Sequence, residues 1–427
     1  MNWKKLVCIL TAIGAFLIWG NGACLWAGDA DIINLLRQKN VITQEEADKA
    51  LEELQTKKQD EKKEIKKELS AEIKDDIKQD ATKGDLLPQA LKGFRFSTTI
   101  FADWADKNAT GSKATNQFEL NRGYMTLIKD INDWLGVNVT ADVFTSVDKN
   151  DVGNGLEMRM KNAYVYINLF DTSTQLGLIP TPSDTYDSAI WPYRVQGKNF
   201  LDDNSIQASA DLGVSIQGPI GGYMDENYLQ YASKQFAGKW GGYFLELSNG
   251  GGYAYPTDNN NNKVVSGLIY VRPLPTIPFV QGLQLAYTET YGESNANFAA
   301  GDKKAFPNWR VYMAQASFQQ PMFTIMYQYY WGEGAYDSTD ENNHQGYLLE
   351  GFVRVPMVEK LRVFGKCSHY DPNMSKGGDE FTTYTGGLSY DLTKEFMPFV
   401  AYQHRQYQSS QGGNNYDMYQ IGFQFKI

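Results

Sequence analysis

Polar and apolar residues alternate one by one along most of the chain. In one run, Phe323, Ile325, Tyr327, Tyr329 and Trp331 alternate with Thr324, Met326, Gln328 and Tyr330. Successive side chains of a β-strand point to opposite faces, so this period of two predicts strands with one apolar face. About sixteen such runs occur, near 94–104, 118–129, 134–145, 159–169, 174–179, 206–218, 240–249, 264–272, 282–291, 309–318, 322–331, 345–355, 361–370, 381–392, 396–406 and 416–427.

The runs are about ten residues long, which is the length of a tilted strand that crosses a bilayer. They predict an all-β fold: a transmembrane antiparallel β-barrel of about 16 strands within 85–427. A soluble sandwich would show the same alternation. The barrel is favoured because tyrosine, phenylalanine and tryptophan cluster near the strand ends. The alternation predicts outward side chains at Val139, Leu212 and Ile325, and water-facing side chains at Asn138, Asp211 and Gln328.

Residues 1–27 have the pattern of a secretory signal peptide. Lys4 and Lys5 precede an apolar stretch without charge, and small residues allow cleavage after Ala27. An uncleaved anchor is the alternative, but the apolar run is short for a membrane-spanning helix. Cys24 raises a lipoprotein alternative, although the expected leucine is missing before it. Export places the chain outside the cytoplasm.

Residues 28–84 change to a helical pattern. The segment 57–80 contains eight lysines and eight acidic residues, and its apolar side chains recur every fourth residue at Ile65, Leu69, Ile73 and Ile77. This narrow stripe predicts a helix that buries too little surface to be stable alone. We expect a periplasmic coiled-coil extension, with a solvated spacer as the alternative. A contact with a periplasmic partner or the cell wall would fit either arrangement.

Residues 180–204 form the longest strand-poor stretch in the first half of the predicted barrel. Long segments without regular structure inside a compact fold are usually functional or disordered. This one contains prolines, tyrosines and a tryptophan, which favour an ordered conformation. We therefore expect a constriction loop that folds into the lumen.

Three segments resemble the phosphate-selective porin O and P family of Gram-negative outer membranes: FELNRGYMTLIKDINDWLGVNVTADV at 118–143, KNAYVYINL at 161–169 and ASADLGVSIQG at 208–218. The resemblance implies an outer-membrane channel, usually a homotrimer, that admits small hydrophilic solutes or ions by passive diffusion. The charged helix is similar to the N-terminal coiled coil of many such porins. One departure concerns the loop at 180–204, which has four aspartates and lacks the ladder of basic residues that attracts phosphate.

The formal net charge is −10, of which residues 81–427 contribute −8. This balance argues against binding to nucleic acid. The predicted pore-lining charges are Asp184, Asp187, Arg194, Lys198, Asp202 and Asp203 on the loop, and Arg354, Arg362, Lys366 and Arg405 on a basic wall formed by late strands. A transverse field between opposed charges orders water and selects solutes. The barrel region carries −8, and the loop has four aspartates against Arg194 and Lys198, which predicts a preference for cations. The basic wall opposes this preference, so it should be modest. The family resemblance implies the opposite preference, for anions.

No catalytic residue, metal ligand set or cofactor is predicted. Only Cys367 lies outside the signal segment, and no C-x-x-C-H haem motif is present. Two other functions stay open. A structural barrel could surround a partner such as a multihaem cytochrome, or an outer-membrane hydrolase could assemble a serine with His344, His369 or His404.

Overall fold

The computed structural model describes residues 93–427 apart from 112, 146–154, 230–231, 254–257, 297–305 and 410–411. The predicted signal peptide and helical extension lie outside the described residues. The described chain forms these strands: β1 (Phe94–Ala109), β2 (Thr115–Asp130), β3 (Leu135–Thr145), β4 (Leu156–Leu169), β5 (Thr172–Pro180), β6 (Ala210–Ile220), β7 (Gly241–Ser248), β8 (Val264–Val271), β9 (Leu283–Glu293), β10 (Asn308–Gln319), β11 (Phe323–Glu333), β12 (Asn343–Val355), β13 (Val358–Asp371), β14 (Phe381–Tyr390), β15 (Phe396–Tyr407) and β16 (Tyr416–Lys426).

The strands form a closed antiparallel barrel. Each strand pairs with its neighbours in sequence, and β1 pairs with β16 to complete the ring. In that seam Ile100 lies opposite Phe425 and Trp104 lies opposite Ile421. Closure leaves no unpaired strand edge, which is the condition for a sheet to cross a membrane. The prediction of an all-β barrel with about sixteen strands is confirmed.

The connections differ in length between the two ends of the barrel. At one end most are short turns: 131–134, 170–171, 320–322, 356–357 and 391–395. At the other end most are longer: 181–209, 249–263, 294–307, 334–342 and 372–380. We call these the short-turn end and the long-loop end. β1 begins and β16 ends at the short-turn end.

Strand residues alternate between the outer and inner faces as the sequence predicts. On β11, Ile325 is 43% exposed on the outer face, whereas Gln328 is fully buried on the inner face. Leu245 on β7 and Ile269 on β8 are likewise about half exposed on the outer face. A continuous apolar outer surface of this kind is far larger than soluble proteins tolerate and suits contact with lipid.

Aromatic side chains cluster on the outer face near both ends. Near the long-loop end, the Tyr312 and Trp331 rings stack with centroids 5.7 Å apart. Near the short-turn end, Phe318 contacts Phe323 at 5.4 Å, and Phe396 contacts Phe423 at the same distance. Two aromatic belts flanking an apolar band are typical of barrels whose ends lie at the membrane surfaces.

The described parts of the connections contain three short helices: α1 (Pro182–Ile190), α2 (Phe200–Asp203) and α3 (Glu226–Leu229). Among the described residues, no helix has the length and hydrophobicity required to span a membrane. α1 and α2 belong to the connection between β5 and β6, and α3 belongs to the connection between β6 and β7.

Candidate pore constriction

The connection at 181–209, which we call the inner loop, folds into the lumen. The side chains of Trp191, Tyr193 and Phe200 are at most 4% exposed. The Tyr193 hydroxyl lies 2.8 Å from the Ser389 hydroxyl on β14, far around the barrel from β5. This connection contains most of the segment at 180–204 for which the sequence predicts a constriction loop.

α1 packs against the inner face of β9 to β11. The Tyr186 hydroxyl donates to Gln284 Oε1 at 3.0 Å and lies 3.2 Å from the Ser317 hydroxyl. Gln328 Nε2 donates to Asp187 Oδ1 at 2.6 Å. Burial raises the pKa of Asp187 well above its usual range, with a smaller contribution from Glu350, so the neutral carboxyl is favoured here.

The middle and end of the inner loop pack on later strands. The Tyr193 ring stacks on Phe364 of β13 with centroids 4.3 Å apart. Phe200 of α2 contacts Tyr330 at 5.8 Å and Tyr370 at 6.0 Å. Each aromatic pair adds about 0.5–1.5 kcal/mol beyond the burial of its area. The loop is therefore anchored along its length and not only at its ends.

A second segment enters the lumen from the short-turn end. This is the connection at 221–240, which we call the lower segment. Its Phe236 ring lies 5.0 Å from Tyr186 of α1. Arg272, which is 1% exposed, donates to the carbonyl oxygen of Gly238 at 3.3 Å and to that of Gln281 at 2.6 Å. The inner loop and the lower segment thus meet and fill the lumen beside β7 to β11.

Two arginines on the other side of the lumen keep contact with solvent. Arg159 on β4 lies 3.2 Å from Asp142 on β3, and Arg122 on β2 lies 4.0 Å from the same carboxylate. The two arginine side chains are 28% and 19% exposed. The Arg159 guanidinium also lies over the rings of Phe144 and Tyr253, at 4.2 and 4.4 Å. Stacking of this kind holds a guanidinium in a fixed direction.

The surface of the inner loop that faces these arginines has ion pairs of its own. Asp202 accepts from Arg194 at 2.9 Å and from Lys198 at 3.0 Å. Burial alone would raise the pKa of Asp202, but Lys198 and Arg194 outweigh it and lower the pKa below its usual value. Asp203 lies 3.7 Å from Arg405 of β15. The loop therefore presents charges of both signs to the solvent-exposed side of the lumen.

The structure divides the ten predicted pore-lining residues into two groups. Six lie on the solvent-exposed side of the inner loop or contact it there: Asp184, Arg194, Lys198, Asp202, Asp203 and Arg405. The other four, Asp187, Arg354, Arg362 and Lys366, are engaged elsewhere.

Those four have partners away from the solvent-exposed side. Asp187, a residue of α1, is buried against Gln328 of β11. Arg354 and Arg362 both pair with Asp391 in the β14–β15 turn at the short-turn end. Lys366 donates to the backbone oxygen of Lys198 at 3.3 Å, under the inner loop. The four predicted basic residues of the late strands therefore do not form a single wall.

Three basic residues that sequence reasoning missed lie on early strands: Arg122, Arg159 and Lys161. Lys161 Nζ donates to Ser209 Oγ at the end of the inner loop at 3.0 Å. Two β-bulges explain why they were missed. Asn121 and Lys161 are extra residues in the β1–β2 and β3–β4 pairings, so the period of two is broken next to each position.

No family model matches the chain. No curated protein matches it either. Solved structures do: Pseudomonas putida OprB has a TM-score of 0.55 at 11% identity, with 79% of this chain and 94% of that chain covered. The anion-selective porin from Comamonas acidovorans and the trimer form of OmpT, an outer membrane protein from Vibrio cholerae, each have a TM-score of 0.52 at 12% identity, covering 78% of this chain and 99% of theirs. The chain therefore has the fold of outer-membrane porins, and at these identities the likeness establishes the fold alone.

Proposed function

We propose that the protein is an outer-membrane porin, a water-filled channel for passive diffusion of small hydrophilic solutes or ions. The observation that supports this most directly is the inner loop, which narrows the lumen and leaves charged, solvent-exposed side chains along one side. Opposed charges in a narrow aqueous passage select solutes by charge and size. Short periplasmic turns are the rule in such barrels, so the short-turn end would face the periplasm and any N-terminal extension would lie there.

We further propose a preference for anions over cations. Seven basic side chains border the solvent-exposed side: Lys107, Arg122, Arg159, Lys161, Arg194, Lys198 and Arg405. Six acidic side chains lie among them: Glu119, Asp142, Glu157, Asp184, Asp202 and Asp203. The local excess is positive. The Debye length is about 8 Å at physiological salt, so these nearby charges outweigh the −8 spread over the barrel.

This preference reverses the expectation of modest cation selectivity. That expectation counted Asp187 as pore-lining and did not include the basic residues of β2 and β4. Asp187 is buried in contact with Gln328. The comparison with an anion-selective porin agrees in direction, although a shared fold does not determine selectivity.

The test is the zero-current potential of the purified protein in a planar bilayer across a salt gradient. We expect anion selectivity, weakened or reversed in the double variant Arg159→Gln, Lys161→Gln. Lys394→Gln, which removes the same kind of charge from an exposed short turn, is the matched control and should leave the potential unchanged. Absence of any conductance would overturn the channel proposal. A cation-selective wild type would overturn only the anion preference.

A homotrimer is proposed as the assembled state, supported by the trimer form of OmpT, which has a similar fold. Cross-linking of the detergent-solubilised protein followed by mass measurement would test it. A dimer or monomer under conditions that preserve conductance would contradict it.

Two other functions receive less support. A cytochrome would have to occupy a lumen that already contains the inner loop and the lower segment. For a hydrolase, none of the three histidines bonds a serine among the described residues. His344 lies in hydrogen-bonding contact with Tyr330, His369 lies 3.0 Å from the Thr382 hydroxyl, and His404 lies 2.9 Å from Asp417.

A further inference from the structure

Three carboxylates lie together at the long-loop end, between β13 and β14. Asp371 is the last residue of β13, and Asp379 and Glu380 directly precede β14. One oxygen from each of them lies within 4.8 Å of the others. Like charges at this separation repel one another, so three ionised carboxylates need a positive partner.

The described residues supply no such partner. Among them, no lysine or arginine nitrogen lies within 4.0 Å of these carboxylates; the basic residues with ion pairs are engaged elsewhere, as Arg405 is with Asp203. Lys376 lies in the same connection but is exposed to solvent. The cluster is therefore not part of a salt-bridge network within the described chain.

Asp379 gives an independent indication of a ligand. Its residue surface is 8% exposed, and its Oδ1 atom is buried without a hydrogen-bond partner. Buried carboxylates in proteins are almost always hydrogen-bonded, paired or bound to a metal, because the unpaired charge is costly. A side chain of this kind, directed into a group of carboxylates, is typical of a cation ligand.

We propose that Asp371, Asp379 and Glu380 bind a divalent cation, and that the ion is Ca²⁺. All three offer hard oxygen ligands and no nitrogen or sulfur, which favours Ca²⁺ or Mg²⁺ over zinc or copper. Calcium accepts irregular oxygen coordination at about 2.3–2.6 Å, whereas magnesium, at about 2.0–2.1 Å, demands near-ideal octahedral geometry and usually keeps several waters. A site whose ligands are three protein carboxylates at an irregular connection therefore suits calcium.

The ion would join the end of β13 to the start of β14 and fix the connection between them. That connection also contacts its neighbours, since Met374 N donates to Asn343 O at 2.9 Å and Ser409 Oγ donates to Gly378 O at 2.7 Å. Tyr370, next to the site, contacts Phe200 of the inner loop. Calcium would thus brace the rim of the barrel directly above α2.

The test uses the full chain refolded in detergent without lipopolysaccharide. Tb³⁺ binding is followed by luminescence sensitised through nearby tyrosines such as Tyr370, and Ca²⁺ is then titrated as competitor. We expect one saturable Tb³⁺ site that Ca²⁺ displaces, with affinity reduced at least about tenfold in Asp379→Asn and in Glu380→Gln, since ligand charge determines affinity in such sites. Asp258→Asn is the matched control, because Asp258 lies in another connection at the same end and pairs with Lys263.

Trypsin cleavage after Lys376 supplies a second readout. Calcium should slow this cleavage at least about tenfold in the wild type and have little effect in Glu380→Gln. If Asp379→Asn does not fold, Glu380→Gln decides the question, because Glu380 is only partly buried. The proposal is overturned if the wild type shows no saturable Tb³⁺ site that Ca²⁺ displaces, or if Glu380→Gln binds as tightly as the Asp258→Asn control.

Discussion

We predict that Arg272 keeps the lower segment docked in the lumen. Its guanidinium donates to Gln281 O at 2.6 Å and to the Tyr228 hydroxyl at 3.2 Å, with longer bonds to Gly238 O and Phe236 O. Arg272→Met keeps an unbranched apolar side chain but removes every donor. The bond to Gln281 lies outside the lower segment, so the bonds that hold the segment are those to Tyr228, Gly238 and Phe236. Hydrogen bonds from charged groups contribute about 1.5–3 kcal/mol each, so two of these three alone predict a loss of about 3–6 kcal/mol. The barrel strands keep their own backbone pairing.

A loss of about 3 kcal/mol would raise the undocked population of the lower segment by at least about a hundredfold. Limited trypsin digestion of the folded protein in detergent measures this population through cleavage after Lys239, whose backbone N–H is bonded to Gly222 O at 2.8 Å in the docked state. Cleavage should accelerate in Arg272→Met while heat-modifiable migration shows an intact barrel. Arg95→Met, which removes an exposed arginine paired with Asp130, is the control. Cleavage of Arg272→Met at the wild-type rate would refute the assignment of Arg272 as the anchor.

Three further changes test the fold and the inner loop. Ile269→Lys places a charge on the outer face of β8, where Ile269 is 51% exposed, and should lower the free energy of unfolding in lipid vesicles by about 2–4 kcal/mol, whereas Lys at the exposed Asn262 should be nearly neutral. Burial raises the pKa of Asp187 above its unfolded value, so its contribution to stability is full below the unfolded pKa and is lost as pH rises through the folded pKa. Asp187→Asn should abolish that loss in unfolding free energies measured across pH. Gly241→Ala should lower the urea midpoint of unfolding, because Gly241 has φ +138° and a Cβ there would lie 2.1 Å from Tyr270 O.

The strands could be predicted from the sequence because each has one face against the apolar surroundings of the barrel. That requirement fixes the period of two, as on β11, where Ile325 faces outward and Gln328 faces inward. The boundary of β6 was less predictable. The alternation begins at Ile206, but β6 begins at Ala210, because Ile206 belongs to the inner loop and its N–H is bonded to Leu201 O at 2.8 Å.

The candidate site was predicted only in part, for a different physical reason. A bulge changes which face the following residues occupy without any marked change in composition. The extra residues Asn121 and Lys161 therefore hid the basic side chains beside them on β2 and β4. The lower segment was hidden as well. Its one phenylalanine, Phe236, does not by itself predict that the segment is buried. The contact between Arg272 and the Phe236 backbone oxygen becomes apparent only in the structure.

Polar residues on the inner face of a barrel strand are not necessarily in contact with water. Gln284 and Gln328 have the polarity expected of a wet lumen, and both are buried because α1 supplies their hydrogen-bond partners. A polar inner face thus serves equally as a binding surface for an infolded loop. The aqueous route is instead marked by charges that remain exposed inside the barrel, such as Arg159 and Asp203. Selectivity should therefore follow these exposed charges and not the net charge of the chain, because a buried or neutralised carboxyl such as Asp187 exerts little field on a passing ion.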